Sequence, residues 1–286
     1  MKYNLTLLLF AALLFTGCLD ANNNNDCVPV DQSAILAEYA DREDYIETES
    51  GLIYKVVEEG NGEIPQENQF VFVEFKGKLV SDDVFEETDG LIFFLLNDGL
   101  IPGLREGLSL MSEGSTFELV MPPELAFGNN PPRGTIIQCG AVVIYEITLD
   151  SFLRDVDTFL EQNAAREDVE IKVTDSGLQY HVIEEGEGES PVSTDDVRVR
   201  YKGSLTNGVV FDQTDGDDTA EFRVDGVIDG FTEGLLLMNE GSKFELFIPP
   251  NLAYGNNPPR DPRGEIVFPP NSILVFEVEL VEILEE

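Results

Sequence analysis

The nine residues LAFGNNPPR starting at Leu125 return as LAYGNNPPR starting at Leu252. So close an echo requires the chain to build one structural unit twice. The same offset, about 126 residues, organises most of the sequence. Ser50-Gly51-Leu52 answers Ser176-Gly177-Leu178, Phe75-Lys76-Gly77 answers Tyr201-Lys202-Gly203, and Phe85-Glu86 answers Phe211-Asp212. Ile101, Gly103, Gly107, Met111 and Gly114 match Ile228, Gly230, Gly234, Met238 and Gly241. A solenoid repeat is about 20 to 50 residues long, so each copy here is a whole domain. With 286 residues and 42% hydrophobic content, the chain is long enough for two separate cores.

Local patterns give each copy the same plan. A short amphipathic helix opens it: Ile35, Leu36 and Tyr39 after a cap at Ser33, and Val156, Phe159 and Leu160 after a cap at Asp155. Alternating strands follow, through Leu178, Tyr180 and Val182, then Val197, Val199 and Tyr201, then Phe244, Leu246 and Ile248, with a long last strand running to Ile283. Between them lies one compact helix, Gly230 to Met238, with Phe231, Leu235 and Met238 on one face; Leu104, Leu108 and Met111 repeat it. Antiparallel strands with one such helix make an α+β domain whose sheet wraps the helix. The Gly-rich turns at Gly60 and Gly186 lack a Walker Lys-Ser/Thr and the dinucleotide fingerprint, so they read as hairpin turns.

The first residues, MKYNLTLLLFAALLFTGC, place Lys2 before an apolar run from Leu5 to Phe15 and small residues up to Cys18. That is the layout of a removable secretory signal, too short for a permanent span of about 20 residues. Its Gly17-Cys18 ending resembles the bacterial lipoprotein signal, apart from Phe15 where Leu is commoner. The resemblance implies a signal peptide at 1–17, a lipid on Cys18 and a polar tether at 18–30; ordinary cleavage near Cys18 is the alternative. Leu19 after the Cys does not match the inner-membrane retention signal, which points to the outer membrane, with its periplasmic or surface face left open. Cys27 and Cys139 then remain either as a disulfide pair or as two free thiols. The formal charge of −39 opposes nucleic acid and anionic headgroups. It serves solubility, or draws basic unfolded segments.

Four segments of the second copy, VRVRYKGSLTNGVVFD from Val197, VIDGFTEGLLLM from Val227, IPPNLAYG from Ile248 and FPPNSILVFEVEL from Phe268, carry a family likeness. In order and nearly in spacing they resemble the FKBP-type peptidyl-prolyl cis-trans isomerases. The likeness covers roughly 170 to 284 and 44 to 149. It implies two tandem FKBP-like domains, at 31–150 and 151–286, each an antiparallel half-barrel of five or six strands around a short helix, with its pocket between helix and sheet. Carried over, the pocket falls on Tyr201, Phe211, Asp212, Val227, Ile228, Phe231, Tyr254 and Phe276, with Phe222 and Phe268 at its rim. Phe231 stands where most members have Trp. Tyr201, Phe211, Phe231 and Phe276 would enclose a prolyl ring, and Tyr254 would donate to a substrate carbonyl. Asp212 would either fix Tyr201 or polarise the twisted amide. The implied clients are unfolded or Pro-containing polypeptides of the cell envelope, handled either by catalysis or by non-catalytic chaperone binding. No cofactor or metal is called for.

Other chemistries find little support. His181 is the only histidine, no Cys-x-x-Cys occurs, and Asp217-Asp218 beside Gly216 reads as a solvated turn. The first copy departs where the likeness matters. Phe75 stands for Tyr201, Glu86 for Asp212, Leu100 for Val227, Leu104 for Phe231, Phe127 for Tyr254 and Tyr145 for Phe276. Two phenolic hydroxyls are lost, Cys139 stands for Pro270, and the last loop is shorter. The first domain is therefore expected to be weakly active or inactive.

Overall fold

The computed structural model describes residues 29–284, and the chain divides into two units at Phe152/Leu153. In the first unit the elements are α1 (Ser33–Ala40), β1 (Ile46–Glu47), β2 (Ile53–Glu58), β3 (Phe70–Leu79), β4 (Val84–Glu87), β5 (Ile92–Leu95), α2 (Pro102–Leu110), β6 (Thr116–Met121) and β7 (Val143–Phe152). In the second they are α3 (Val156–Ala164), β8 (Lys172–Val173), β9 (Gln179–Glu184), β10 (Asp196–Leu205), β11 (Val210–Gln213), β12 (Ala220–Arg223), α4 (Asp229–Leu236), β13 (Lys243–Ile248) and β14 (Leu274–Leu284). The cysteines expected to carry lipid (Cys18) and to pair with Cys139 (Cys27), with the signal and most of the tether, lie outside the described residues. Cys139 itself is disulfide-bonded.

Each unit is one antiparallel sheet, ordered β1-β2-β6-β7-β3-β4 and β8-β9-β13-β14-β10-β11. The strand count is seven rather than five or six. One long strand pairs with two short ones, β4 and β5 on β3, β11 and β12 on β10, and bulges at Gly77/Lys78 and Gly203/Ser204 break the register with β4 and β11. The two-residue strands β1 and β8 add a further edge.

The helix between strands packs on one face of each sheet. Leu104, Leu108 and Met111 are buried in the first unit, and Phe231, Leu235 and Met238 in the second. Glycines permit the contact: a Cβ at Gly234 would lie 2.4 Å from Leu246 Cδ1, and one at Gly107 2.4 Å from Leu119 Cδ1. Such short helices are marginal alone and owe their stability to this burial.

Two local expectations change. Asp155 does cap α3, accepting from the Thr158 N–H at 3.1 Å. Ser33, however, lies inside α1 and Gln32 precedes it, its side-chain oxygen accepting from the Val142 N–H. At the same start the Asp31 carboxylate accepts from the Ser33 N–H at 3.1 Å. The Gly60 and Gly186 turns are not hairpins, because β2 pairs with β6 and β9 with β13. They are crossovers pressed on another loop, where a Cβ at Gly60 would meet the Glu113 carbonyl at 2.4 Å and one at Gly186 the Glu240 carbonyl at 2.3 Å.

Candidate active site

In the second unit, β10 and β14 run side by side with Gly203 opposite Phe276, and Gly203 also faces Asp212 across β11. A Cβ at Gly203 would lie 2.8 Å from both the Phe211 and Phe276 rings, so glycine lets these two rings close over the strand. They meet edge-on at 5.6 Å and 85°. Phe231, supplied by α4, stands 5.1 Å from Phe276 and 6.4 Å from Tyr201. Phe268 lies 4.9 Å from Phe211 and 5.8 Å from Tyr254, and Phe222 lies 5.8 Å from Tyr201. The seven aromatic residues named from sequence thus form one continuous ring network. Val227 and Ile228 are half-buried where the chain turns into α4, and the Ile228 carbonyl accepts from the Phe231 and Thr232 N–H groups.

The two phenols are placed differently. Tyr201 donates its hydroxyl to Asp212 Oδ2 at 2.6 Å. Burial and this carboxylate both push the Tyr201 pKa upward, so the phenol stays protonated. The carboxylate thereby fixes the Tyr201 ring. Tyr254 is 39% exposed, and its hydroxyl makes no hydrogen bond among the described residues. Burial, then the charge of Asp212, raises its pKa too. The site therefore offers an apolar box and one uncommitted O–H donor at its mouth.

The first unit rebuilds the box with its parts exchanged. Phe75 and Phe85 each stack edge-on against Tyr145, at 5.5 and 5.6 Å, and Phe127 lies 6.3 Å from Phe85. Tyr145 is fully buried and donates to Glu86 Oε2 at 3.2 Å. The loss of hydroxyls expected from Phe75 and Phe127 is thus partly offset: a phenol–carboxylate pair survives, with the phenol moved from β3 to β7. Burial raises the Glu86 pKa, opposed by the Tyr145 hydroxyl. The signal was in the register, since Tyr145 and Glu86 both face Gly77 as Phe276 and Asp212 face Gly203. At the position of Tyr254 this pocket has Phe127, which carries no hydroxyl. Among the described residues no cluster of His, Cys, Asp or Glu could hold a metal ion, and Asp217 and Asp218 lie exposed in a turn.

Two wrapped half-barrels, each with an aromatic box between helix and sheet, define the class of protein. The sequence profile of the FKBP-type peptidyl-prolyl cis-trans isomerases matches residues 61–150 and 187–281, and the chain belongs to that family. The FKBP-type 22 kDa peptidyl-prolyl cis-trans isomerase of Escherichia coli is 53% identical over 128 residues, covering 44% of this chain and 58% of that protein. FkpA of Escherichia coli is 47% identical over 115 residues, 40% of each chain. The crystal structure of FkpA overlays with a TM-score of 0.38 at 40% identity, covering 44% of this chain and 56% of that one. The chain spans about half the length of the curated relatives it matches.

Proposed function

We propose that the second unit accelerates cis-trans isomerisation of Xaa-Pro bonds in polypeptide clients, and that the first unit holds such segments with little or no turnover. The observation that carries this is the Tyr254 hydroxyl, uncommitted beside the box of Tyr201, Phe211, Phe231 and Phe276. The barrier to rotation about the amide is about 18 to 20 kcal/mol, and spontaneous exchange takes tens of seconds or more. The planar amide is the more charge-separated form, so an apolar box disfavours it relative to the twisted one. Tyr254 would donate to a substrate carbonyl as the bond turns, and Asp212 would position Tyr201. No nucleophile is used.

The first unit lacks that donor, which favours binding over catalysis there. The leader supports an envelope setting: a lipid on Cys18 would hold the chain at a bacterial outer membrane through a tether to residue 30, and a Cys27–Cys139 bridge would pin that tether to the first unit. One relative bears the name outer membrane protein MIP.

The test uses the full chain with one pocket disabled at a time, following an Xaa-Pro tetrapeptide. Phe211→Ala should lower kcat/KM about tenfold or more, equivalent to ~1.4 kcal/mol of transition-state stabilisation, and Phe85→Ala should leave it nearly unchanged. Equal losses from the two would overturn the division of labour, and no loss from Phe211→Ala would overturn the pocket.

A further inference from the structure

Between the rim ring Phe222 on β12 and Phe231 on α4 the chain makes one tight turn. Val224–Gly226 form a single 3-10 turn, Val227 is extended, and Ile228 leads into α4. The turn brings Val227 and Ile228, half-buried, to the pocket, while Val224 is fully buried. One residue of α4 holds both of its ends. The Thr232 N–H donates to the Ile228 carbonyl at 3.0 Å, and the Thr232 hydroxyl donates to the Val224 carbonyl at 2.6 Å. The first bond belongs to the helix. The second reaches back eight residues and needs a side-chain donor. Thr232 directly follows Phe231, so the residue that ties the turn is joined to a ring of the box.

The first unit has the same turn without this tie. Leu96 and Val224 correspond: each is buried and follows the short strand, and their N–H groups donate to the Gln69 and Asp195 carbonyls at 2.9 Å. The Arg105 N–H still donates to the Ile101 carbonyl, at 3.2 Å, as that of Thr232 does to Ile228. The Arg105 side chain, however, turns to Asp98 in an ion pair. The Leu96 carbonyl accepts instead from the Asn68 N–H at 2.7 Å, outside the helix. Four residues lie between Leu96 and Ile101, against three between Val224 and Ile228. The copy with Tyr254 at its mouth is thus also the one whose pocket turn is tied by a side chain to the pocket helix.

We propose that Thr232 is a positioning residue of the second pocket, its hydroxyl holding the Val227–Ile228 wall in register with Phe231 so that a prolyl ring meets a preformed box. This role rests on the proposed function of that pocket, and it requires no contact between Thr232 and the client. A small misplacement caused from outside the reacting centre is enough to weaken catalysis. The wall grips the ring, whose shape is the same whether the amide is planar or twisted. Loosening it therefore weakens both forms alike, and the loss appears in KM.

The test is turnover of an Xaa-Pro tetrapeptide by the full chain, with Phe85→Ala disabling the first pocket. Thr232→Val keeps the shape and removes the donor, and Thr232→Ser keeps the donor. Thr232→Val should raise KM about fivefold, the equivalent of one neutral hydrogen bond, and leave kcat within about twofold. Thr232→Ser should bring KM back to within about twofold of the wild type. A merely structural hydroxyl would lower the melting temperature and leave both constants unchanged in the folded protein, and that result overturns the proposal. So does a Thr232→Ser variant as impaired as Thr232→Val, or a loss confined to kcat. Should Thr232→Val melt below the assay temperature, Thr232→Ala, which sets no methyl against the carbonyl, is read by the same criteria. Failure of both to fold overturns the proposal, because the hydroxyl then holds the domain rather than the wall. Should the wild type show no turnover, the prolyl reading fails, and the wall is judged by the dissociation constant of the same peptide, labelled and followed by anisotropy. A rise with Thr232→Val and recovery with Thr232→Ser sustain it; equal values overturn it.

Discussion

Replacing Tyr254 by Phe isolates the one group on which the catalytic reading turns. The substitution removes a single hydroxyl from a residue that is 39% exposed, and that hydroxyl has no hydrogen-bond partner among the described residues. The ring, 5.8 Å from Phe268, stays. Nothing in the folded chain is left unsatisfied, so stability should change by less than about 0.5 kcal/mol, the usual range for a surface substitution. Turnover is different. A neutral hydrogen bond contributes a net ~0.5–1.5 kcal/mol, and exposure lets water compete for it, so about 1 kcal/mol is the working figure. That corresponds to roughly a fivefold fall in kcat/KM. The assay is isomerisation of an Xaa-Pro tetrapeptide by the full chain with Phe85→Ala in the first pocket, beside a thermal melt. A large fall in melting temperature would refute the reasoning, because it would reveal a structural bond at the hydroxyl. Unchanged kcat/KM with an unchanged melt would remove Tyr254 from the mechanism.

Three further outcomes follow from the geometry. Gly203→Ala would place a methyl 2.8 Å from the Phe211 and Phe276 rings; overpacking of this kind costs about 1–3 kcal/mol, so a lower melting temperature and reduced turnover should appear together. Glu86→Gln tests the buried carboxyl of the first unit. Its pKa is raised on folding, so the native state holds the proton more tightly and stability is lost as pH rises through the raised value. Calorimetry should therefore show the variant gaining on the wild type above that window and not below the ordinary carboxylate range. With the second pocket silenced by Phe211→Ala, Phe127→Tyr should raise the residual turnover severalfold by returning a phenol to the first; no increase would mean that more than the hydroxyl separates the copies.

What could be read from the sequence was set by locality. The box residues lie on β10, β11, β12, β14, α4 and two loops, so no local period brings them together; they were nameable because the ordered motifs of the second copy resemble a known family. Sheet order was not, because β2 pairs with β6 across the whole α2 segment, and no local pattern distinguishes such a crossover from a hairpin. The glycines of those crossovers gave no help, since what requires them is a carbonyl from a distant loop at 2.3 to 2.4 Å from the added Cβ.

The divergence of the copies is sharper than a count of hydroxyls. Both keep a phenol hydrogen-bonded to a carboxylate beside a glycine that admits two rings, at 2.6 Å in one and 3.2 Å in the other. The donor strand differs, and with it the depth. Tyr145 is fully sealed in the core, whereas Tyr201 is half-buried. Moving the phenol inward satisfies Glu86 from within, and Phe127 brings no hydroxyl to the mouth. On the far face of the sheet, away from the aromatic box, the first copy is again the more closed. The first copy covers its Glu118 carboxylate with Tyr45 and Lys78, while the second leaves Glu245 open to a groove beside α3. The second copy thus keeps open both the mouth at Tyr254 and the far face that the first copy covers, and a duplicated fold can offer different surfaces without changing its strand order.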